Sequence, residues 1–222
     1  MVDDQRRFAD RYEAGRVLAE RLASYAGSAD VLVLALPRGG VPVASEVAAA
    51  LGVPLDVFVV RKLGTPGHSE LAMGAIASGG VRVINDEIVR GYGISQAEIE
   101  RAVLDEEQEL ARREAEYRGG LPPPDVTGRI VILVDDGLAT GSTMRAAVQA
   151  VRQHNPARVI VGVPVGTRSA RADLLRVADV VVCVRMPEPF SAVGQWYVDF
   201  EPTTDQEVRK LLGQDRDRSG SE

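Results

Sequence analysis

Two adjacent acids, Asp135 and Asp136, stand between a short run of branched apolar residues and a loop of small residues. The run at 131–134 reads Val-Ile-Leu-Val, which suits a strand that is buried on both faces of a parallel sheet. Open α/β sheets bind their ligands at the carboxyl ends of such strands, where these two side chains fall. Their carboxylate oxygens are hydrogen-bond acceptors, so the pair is a candidate site for a ligand rich in hydroxyl groups.

The loop that follows the acids has the chemistry of an anion site. It reads Gly-Leu-Ala-Thr-Gly-Ser-Thr at 137–143 and leads into a predicted helix at 144–152. Glycines let the backbone close round an anion, and free N–H groups at a helix N-terminus favour phosphate. Hydroxyl donors come from Thr140, Ser142 and Thr143. Acceptors for sugar hydroxyls and donors for a phosphate thus lie one turn apart, and a phosphorylated pentose fits both. A simple helix cap would not require two adjacent acids.

A second turn of the same kind lies earlier in the chain. The predicted strand 31–36 runs into Arg38, Gly39 and Gly40, and a predicted helix follows at 42–51. This turn can also bind an anion at the carboxyl end of a strand, and an arginine can meet phosphate oxygens as a planar fork. The alternative is a plain turn with an arginine that faces solvent.

A basic pair, Arg61 and Lys62, follows a second predicted strand at 55–60. The next segment, 63–70, contains two glycines and a proline and has little apolar content, which predicts a mobile loop. Glu70 in this loop could act as a general acid or base. The alternative for the basic pair is a solvated strand end.

The stretch 131–144 resembles the phosphoribosyl-diphosphate (PRPP) signature of type I phosphoribosyltransferases: an apolar strand, two acids and a Thr-Gly-x-Thr loop. The resemblance extends to the Phe-x-Asp-Arg-x-x-Ala-Gly opening at 8–15, and to 36–40, 60–64 and 192–200. These stretches look like the uncharacterised, stand-alone bacterial phosphoribosyltransferase-domain proteins. The resemblance spans nearly the whole chain, and it implies an α/β fold with a doubly wound, mostly parallel sheet.

The resemblance also implies a reaction and a role for each candidate. Ribose 5-phosphate would pass from PRPP to a nitrogenous acceptor with release of diphosphate, and Mg²⁺ would bind the diphosphate and ribose oxygens. Asp135 and Asp136 would hold the ribose hydroxyls and meet the metal only through ribose or water. Arg61 and Lys62 would neutralise the leaving diphosphate under a loop that excludes water. The other implied contacts are to the 5′-phosphate from Ala139, Thr140, Gly141, Ser142 and Thr143, and to the diphosphate from Arg38, Gly39 and Gly40.

The acceptor is the open part of this implied reaction. Residues at about 186–204 would form a hood over it, and an aromatic ring of such a hood often stacks on a base. Candidates for that ring are Phe190, Trp196 and Tyr197, with cover of the sheet edge as the alternative. Ala139 stands where hypoxanthine-guanine enzymes carry an acid, which argues against a 6-oxopurine. The loop looks more like that of adenine enzymes, whereas the hood does not match theirs, so a non-purine acceptor stays open.

The elements of the fold must bring these segments together. A single α/β domain is expected at 1–212, with a helical insertion at about 86–124. Ser95 and Glu98 have the spacing of a capping box, which predicts the start of a long charged helix. The amphipathic segment 8–25 is predicted to form a helix that packs on the sheet and has no chemistry of its own.

Composition narrows the range of partners. The chain has 222 residues and a net charge of −6, which argues against a broad nucleic-acid surface. Its single cysteine, Cys183, cannot form an internal disulfide and is read as a core residue. The sequence has neither an apolar signal core nor a run of roughly 20 apolar residues. We therefore expect a soluble cytoplasmic protein with no membrane partner, a homodimer by analogy with the fold, and a flexible polar tail at 213–222.

Two other functions compete with transfer. Some proteins of this fold bind PRPP or a nucleotide as regulators, without turnover. The presence of Arg38, Arg61 and Lys62 favours an enzyme, because a sensor need not stabilise a leaving diphosphate. Hydrolysis of a phosphorylated sugar is less favoured, because no site for an activated water is evident.

Overall fold

The structure, a computed structural model, describes residues 6–213 except for the side chains of Ser69 and Glu70. Strands and α-helices follow one another along this part of the chain. In order they are α1 (Arg11–Arg21), β1 (Val31–Ala35), α2 (Gly40–Leu51), β2 (Leu55–Val57), β3 (Val60–Thr65), β4 (His68–Ala77), β5 (Val81–Ile84), α3 (Asp86–Tyr92), α4 (Gln96–Arg118), β6 (Ile130–Val134), α5 (Ser142–Arg152), β7 (Arg158–Val165), α6 (Arg168–Leu174), β8 (Val180–Arg185) and α7 (Asp205–Leu211). Short 3-10 turns lie at Ala23–Tyr25 and Val193–Trp196.

The large sheet has the strand order β2-β1-β6-β7-β8, and all its neighbouring strands are parallel. Side chains of β1 alternate between two cores. Val31 and Val33 pack with α1 and α2 on one face, whereas Leu32 and Leu34 pack with α5 and α6 on the other. Because both faces are covered, these strands read as continuous apolar runs. The predicted fold class, an α/β fold with a doubly wound and mostly parallel sheet, is confirmed.

A smaller antiparallel sheet has the order β3-β4-β5. The prediction of a loop at 63–70 is wrong, because this segment forms the turn end of a hairpin between β3 and β4. Leu63 is buried, and Thr65 pairs with His68 across a two-residue turn. Gly67 has a φ of +74° in that turn, which a glycine adopts without steric cost.

The predicted strand at 55–60 divides between the two sheets. β2 ends at Val57 beside β1, and β3 begins at Val60 in the small sheet. Val59 between them is buried and donates its N–H to Ser78 Oγ at 2.9 Å. The backbone therefore changes partners within one apolar run, and apolar periodicity does not reveal such a change.

Helix α4 is the long charged helix that the sequence predicted, and its capping box is formed. It is also packed against the rest of the fold, because Tyr117 and Arg118 near its end are buried. The hydroxyl of Tyr117 donates to Asp205 of α7 at 2.7 Å, and Nε of Arg118 donates to Asp56 of β2 at 3.0 Å. The helical part of the predicted insertion thus rests on α7 and on the edge of the large sheet.

Helix α1 is shorter than predicted. It begins after Asp10, whose carboxylate caps it by accepting the N–H of Glu13 at 2.7 Å. Phe8 was expected inside the helix and instead pairs with Tyr197 in an isolated bridge. The segment directly before α1 is thereby joined to the predicted hood.

No helix among the described residues is long and apolar enough to cross a bilayer. All but the first residue of the predicted flexible tail lies outside the described residues.

Candidate active site

The two acids lie at the carboxyl end of β6, the middle strand of the large sheet. The N–H of Asp136 donates to Oδ1 of Asp135 at 2.8 Å, and Nε of Arg11 donates to Oδ2 of Asp136 at 2.9 Å. Within the described part of the chain, Asp135 Oδ2 and Asp136 Oδ1 accept no hydrogen bond. Each carboxylate therefore has one oxygen that holds its position and one that can accept from a ligand.

Burial shapes the electrostatics of the pair. Burial first, and then the charge of Asp136, raise the pKa of Asp135 well above its ordinary value. Burial also raises the pKa of Asp136, and Arg11 opposes that shift through its charge and its hydrogen bond. Because two carboxylates held close together and away from water repel each other, the site favours a ligand that brings hydrogen-bond donors or positive charge.

The topology places the two predicted anion turns side by side. Strands β1 and β6 are neighbours, with Ala35 opposite Val134 at their carboxyl ends. Helices α2 and α5 leave these strands towards opposite faces of the sheet. A switch point of this kind opens a crevice beyond the carboxyl ends of the strands. The arginine turn and the acid pair therefore meet at one edge of the large sheet, and the small-residue loop follows the acids directly in the chain.

The turn after β1 lies directly against the acids. A Cβ on Gly39 would overlap the carboxylate of Asp136, and one on Gly40 would lie 2.9 Å from Cα of Asp135. Glycine permits this close approach because it has no Cβ. The two glycines therefore bring the backbone of the predicted diphosphate turn into contact with the predicted ribose site.

Arg38 follows a cis peptide bond from Pro37 in the same turn. Its side chain is exposed, and Nη1 lies 3.7 Å from Asp205 of α7. The same carboxylate accepts the hydroxyl of Tyr117 in α4. Helices α4 and α7 thus reach the predicted diphosphate turn, and Arg38 stays accessible to an anion.

The small-residue loop leads into α5 at Gly141, whose φ of +72° turns the chain into the helix. The hydroxyls of Thr140 and Ser142 are exposed and lie 3.1 Å apart, and Thr143 follows in the first turn. The carbonyl of Ala139 accepts a threonine hydroxyl from the segment after β7 at 2.9 Å. Gly141 has no side chain to cap α5. The N–H of Ser142 donates to Thr140 Oγ1 at 3.4 Å, and the N–H groups that follow it in the first turn can serve an anion.

The basic pair lies on β3, where its two members have different surroundings. Nε of Arg61 donates to Glu106 of α4 at 2.6 Å, whereas Lys62 is exposed. Successive residues of a strand face opposite sides, which explains the difference. Glu70 lies in β4, and its side chain falls outside the described residues, so its acid–base role stays a prediction.

Two of the three rings predicted to bind the acceptor are buried. Trp196 is 8% exposed and Tyr197 is 2% exposed. The ring of Tyr197 packs against Phe8 and Phe200, at centroid distances of 5.7 and 5.0 Å. Its hydroxyl donates to the backbone carbonyl of Asp136 at 2.6 Å. The expectation that Tyr197 stacks on an acceptor is therefore corrected: this side chain holds the hood segment on the acid pair.

Phe190 is half-buried and keeps an accessible part of its ring. It stacks with Trp196 at a centroid distance of 6.4 Å. The hood also lies close over the small-residue loop, because a Cβ on Gly137 would lie 2.5 Å from Cγ1 of Val193. Phe190 is the better candidate of the three for contact with an acceptor.

Arg11 is the residue of this site that the sequence did not reveal. Helix α1 was expected only to pack on the sheet, and it also supplies the partner of Asp136. Nη1 of Arg11 donates to the carbonyl of Glu201 at 2.8 Å, and its Cζ lies 3.9 Å from the ring centroid of Phe200. The sequence signal that could have pointed to Arg11 was the Phe-x-Asp-Arg opening at 8–11. The arginine of that motif has no role within the helix itself, which suggests a partner elsewhere in the fold.

The described residues contain no group of three or more Asp, Glu, His or Cys side chains that could hold a metal. Asp135 and Asp136 offer two carboxylates at one point. In proteins Mg²⁺ is commonly held by one or two carboxylates together with substrate phosphates and waters. The donors present therefore fit a magnesium ion carried mainly by the oxygens of a ligand.

Known proteins match the chain over most of its length. The family described as phosphoribosyl transferase domain matches residues 5–201. Two Mycobacterium tuberculosis proteins, from strains CDC 1551 and H37Rv, are named as phosphoribosyl transferases by inference. Each is 50% identical over 205 residues, which are 92% of this chain and 46% of the relative, so the chain spans about half of their length. The crystal structure of TT1426 from Thermus thermophilus is 44% identical with a TM-score of 0.84, over 94% of this chain and 98% of that chain.

Proposed function

The chain belongs to the phosphoribosyl transferase domain family, and from that premise we propose that it transfers ribose 5-phosphate from PRPP to a nitrogenous acceptor, with release of diphosphate. One observation carries the proposal. The glycine turn after β1 contacts the acid pair after β6, and each acid keeps one carboxylate oxygen available for a ligand. A sugar that carries a diphosphate needs this juxtaposition.

The three groups of PRPP would have partners at this edge of the sheet. Asp135 Oδ2 and Asp136 Oδ1 would accept the ribose 2′ and 3′ hydroxyls. The loop at 139–143 and the start of α5 would bind the 5′-phosphate. The turn at 38–40 would bind the diphosphate through its backbone and through Arg38, which is exposed.

Catalysis would rest on positioning and on charge. The bond between the anomeric carbon and the diphosphate oxygen breaks as the acceptor nitrogen attacks from the opposite face, so the configuration inverts. Positive charge that develops on the ribose ring would lie near Asp135 and Asp136, which stabilise it. Arg38 and Lys62 would neutralise the departing diphosphate, while Arg61 would hold β3 on Glu106. In this scheme Glu70 takes the proton that the acceptor nitrogen loses.

Mg²⁺, when bound, would neutralise negative charge on the diphosphate and ribose oxygens. Asp135 and Asp136 would meet it only through ribose or water.

The acceptor would lie under the hood segment at 186–204. Val193 places that segment against Gly137 beside the acids, and Phe190 presents part of an aromatic ring. Ala139 brings no acid to this place, which disfavours a 6-oxopurine. The proposal therefore leaves adenine-like bases and non-purine amines as the acceptor classes.

The first test is calorimetric titration with PRPP and Mg²⁺, followed by diphosphate release with a panel of nucleobases and small aromatic amines. The double variant Asp135→Asn with Asp136→Asn should keep its fold and lose PRPP affinity sharply. Glu107→Gln is the control, because Glu107 of α4 lies outside the hood segment and forms an exposed ion pair with Arg82.

The outcomes separate the candidate functions. Binding with release for one acceptor supports the transferase and identifies its substrate. Binding without release for any acceptor favours a PRPP-binding regulator. If the wild-type protein binds no PRPP, or if the double variant binds it unchanged, the proposed ribose site is wrong.

A further inference from the structure

We propose that Arg11 is a positioning residue of the PRPP site, which fixes the carboxylate of Asp136 and couples it to the hood. This inference rests on the proposed function, since it assigns how one ribose-binding carboxylate is held. The observation behind it is that α1, which precedes the whole sheet in sequence, brings a guanidinium to the acid at the carboxyl end of the middle strand.

The contacts of Arg11 fix its position from several sides. Its Nε donates to Oδ2 of Asp136 at 2.9 Å, and its Nη1 donates to the carbonyl of Glu201 at 2.8 Å. The ring of Phe200 lies below the guanidinium, with its centroid 3.9 Å from Cζ. The Arg11 and Asp136 side chains are only 11% and 16% exposed. A charge-assisted bond in such a place is shorter and stronger than one on the surface.

Arg11 bonds Oδ2 of Asp136 and leaves Oδ1 available for a ligand. Its proposed role is to fix the direction in which Oδ1 points. A carboxylate can rotate about its last torsion, which has broad minima. With Oδ2 held by Arg11, the orientation of Oδ1 is set before any ligand arrives. A ligand hydroxyl then binds without the entropic cost of ordering the acceptor.

Arg11 also joins the acid to the hood. Asp136 is held through its carboxylate by Arg11, which rests on Phe200 and Glu201, and through its backbone carbonyl by the hydroxyl of Tyr197. Both links come from the segment that would cover the acceptor. A movement of the hood would therefore move Asp136, so the ribose site and the acceptor site are mechanically coupled.

A structural ion pair between α1 and the sheet would be the simpler role. Helix α1 has such a pair elsewhere: Arg16 Nη1 lies 3.5 Å from Glu46 of α2, and Arg16 is exposed. Arg16→Met therefore serves as the matched control for Arg11→Met, because both changes remove one guanidinium from the same helix and keep the unbranched aliphatic stem.

The experiment compares two ligands by calorimetry in the presence of Mg²⁺: PRPP, which carries the ribose hydroxyls, and inorganic diphosphate, which does not. Arg11→Met should weaken PRPP binding about tenfold, because a hydrogen bond between charged groups is lost, and should change diphosphate binding less than about twofold. Arg11→Lys keeps the charge and should recover part of the PRPP affinity. Phe200→Leu removes the ring under the guanidinium and should weaken PRPP binding by a smaller factor. Arg16→Met should leave both affinities unchanged.

Four outcomes would overturn the proposed role of Arg11. Unchanged PRPP affinity in a folded Arg11→Met protein overturns the inference and leaves the proposed function intact. Equal losses for PRPP and diphosphate also overturn it, because Arg11 would then act as a general source of positive charge. If Arg11→Met unfolds, a normal PRPP affinity in the Arg11→Lys and Phe200→Leu proteins overturns it as well. Absence of PRPP binding by the wild-type protein overturns the proposed function and this inference together.

Discussion

Gly39 and Asp136 are in direct contact across two strands: a Cβ on Gly39 would overlap Oδ2 of Asp136. The φ of Gly39 is −59°, so the close approach, and not the backbone conformation, requires a glycine. We expect Gly39→Ala to push the turn away from the acid pair, at a cost of roughly 1–3 kcal/mol in stability. PRPP affinity should fall at least about tenfold, since the ribose and diphosphate sites would separate. Thermal unfolding and calorimetric titration measure the two effects.

Gly91→Ala is the control for that change. Gly91 lies in the exposed helix α3, and no heavy atom lies within 4 Å of the added Cβ. Alanine favours the helix by up to about 1 kcal/mol, so stability should stay the same or rise slightly. A Gly39→Ala protein that behaves like Gly91→Ala would show that the turn does not depend on contact with the acids.

The contact between Arg38 and Asp205 gives the second prediction. Their closest atoms are 3.7 Å apart and the side chains are 49% and 34% exposed, so the attraction is worth about 1 kcal/mol or less. Asp205→Asn removes this competitor for the guanidinium, and the new amide oxygen can still accept the hydroxyl of Tyr117. We expect inorganic diphosphate to bind up to about fivefold tighter in a calorimetric titration, with little change in Tm.

Tyr117→Phe is the counterpart, because it leaves the charge of Asp205 in place and removes a buried hydrogen bond. It should lower the free energy of unfolding by about 1 kcal/mol and leave diphosphate affinity unchanged. Weaker diphosphate binding by Asp205→Asn would mean that Asp205 orients Arg38 and does not compete for it.

The parts of the site that the sequence predicted share one property, since they lie within a few residues of each other. The apolar run at 131–134, the acids and the loop at 137–143 are contiguous, and the arginine turn lies directly between β1 and α2. Local pattern is sufficient there, because burial on both faces gives a strand and small residues before a helix give an anion turn. The hairpin between β3 and β4 was missed because its polar residues look like a loop until their cross-strand partners are known.

What the sequence could not supply is contact between distant segments. Arg11 and Asp136 are 125 residues apart, and Tyr197 and Asp136 are 61 apart. Neither pairing has a periodicity or a motif that joins its two members. The burial of Tyr197 is of the same kind, because the rings of Phe8 and Phe200 reach it only in the folded chain. An aromatic residue in a predicted hood can therefore be a support for the site as readily as a contact for the ligand.

The third prediction is that the acid pair lowers the stability of the ligand-free protein. Burial and the charge of Asp136 raise the pKa of Asp135 well above its ordinary value of 3.8. The folded state then holds more protons than the unfolded state between the two pKa values, so stability falls as pH rises through that window. The cost is largest on the alkaline side of that window, where Asp135 is ionised, and Asp135→Asn removes it. We expect Tm to rise by a few degrees, since about 1 kcal/mol corresponds to about 2–4 °C for a chain of this size, while PRPP affinity falls.

The gain in Tm should shrink as the pH is lowered towards 4, where Asp135 in the wild-type protein takes up a proton. Asp179 provides a control of opposite sign. Burial would raise its pKa, but hydrogen bonds from the N–H of Val159 and from Arg152 hold the pKa below its usual value. Asp179→Asn should therefore lower Tm at pH 8. A lower Tm for Asp135→Asn as well would contradict the idea that this carboxylate is kept at a cost to stability.

Tyr12 gives a prediction for alkaline pH. Burial, followed by the hydrogen bond from its hydroxyl to Glu207 at 2.7 Å, raises its pKa from 10.0 to about 12. The folded state keeps the phenol proton where the unfolded state loses it, so this contribution is complete below pH 10 and is lost as pH rises to about 12. After allowance for solvent screening at a partly exposed site, it is worth about 1 kcal/mol. Tyr12→Phe should make the Tm between pH 9 and 11 less dependent on pH, and an unchanged dependence would mean that the hydroxyl is not protected.

The side chains of Arg61 and Lys62 lie on opposite faces of strand β3. Val60 packs with the core around α5, and Leu63 belongs to the core around α1, α2 and α4. By strand alternation Lys62 shares the face of Val60, whereas Arg61 shares the face of Leu63 and bonds Glu106 of α4. Helix α5 begins at the predicted phosphate loop. Lys62 therefore shares the face of β3 that packs towards α5, whereas Arg61 shares the face that packs towards α4.

Replacement of Arg61 by methionine should therefore mainly lower stability, whereas replacement of Lys62 should mainly lower the rate of diphosphate release. Arg61→Met and Glu106→Gln break the same bond, so both should lower the free energy of unfolding by about 0.5–1 kcal/mol and leave the rate of diphosphate release within about twofold of wild type. Lys62 is exposed, so Lys62→Met should leave Tm unchanged, while diphosphate release falls at least about tenfold because a cation near the leaving group is lost. Thermal unfolding measures the first quantity, and single-turnover release of diphosphate from bound PRPP, in the presence of the acceptor that the nucleobase and amine panel identifies, measures the second. Equal losses of rate in the Arg61→Met and Lys62→Met proteins would show that both cations reach the leaving group, and that the bond to Glu106 opens when PRPP binds.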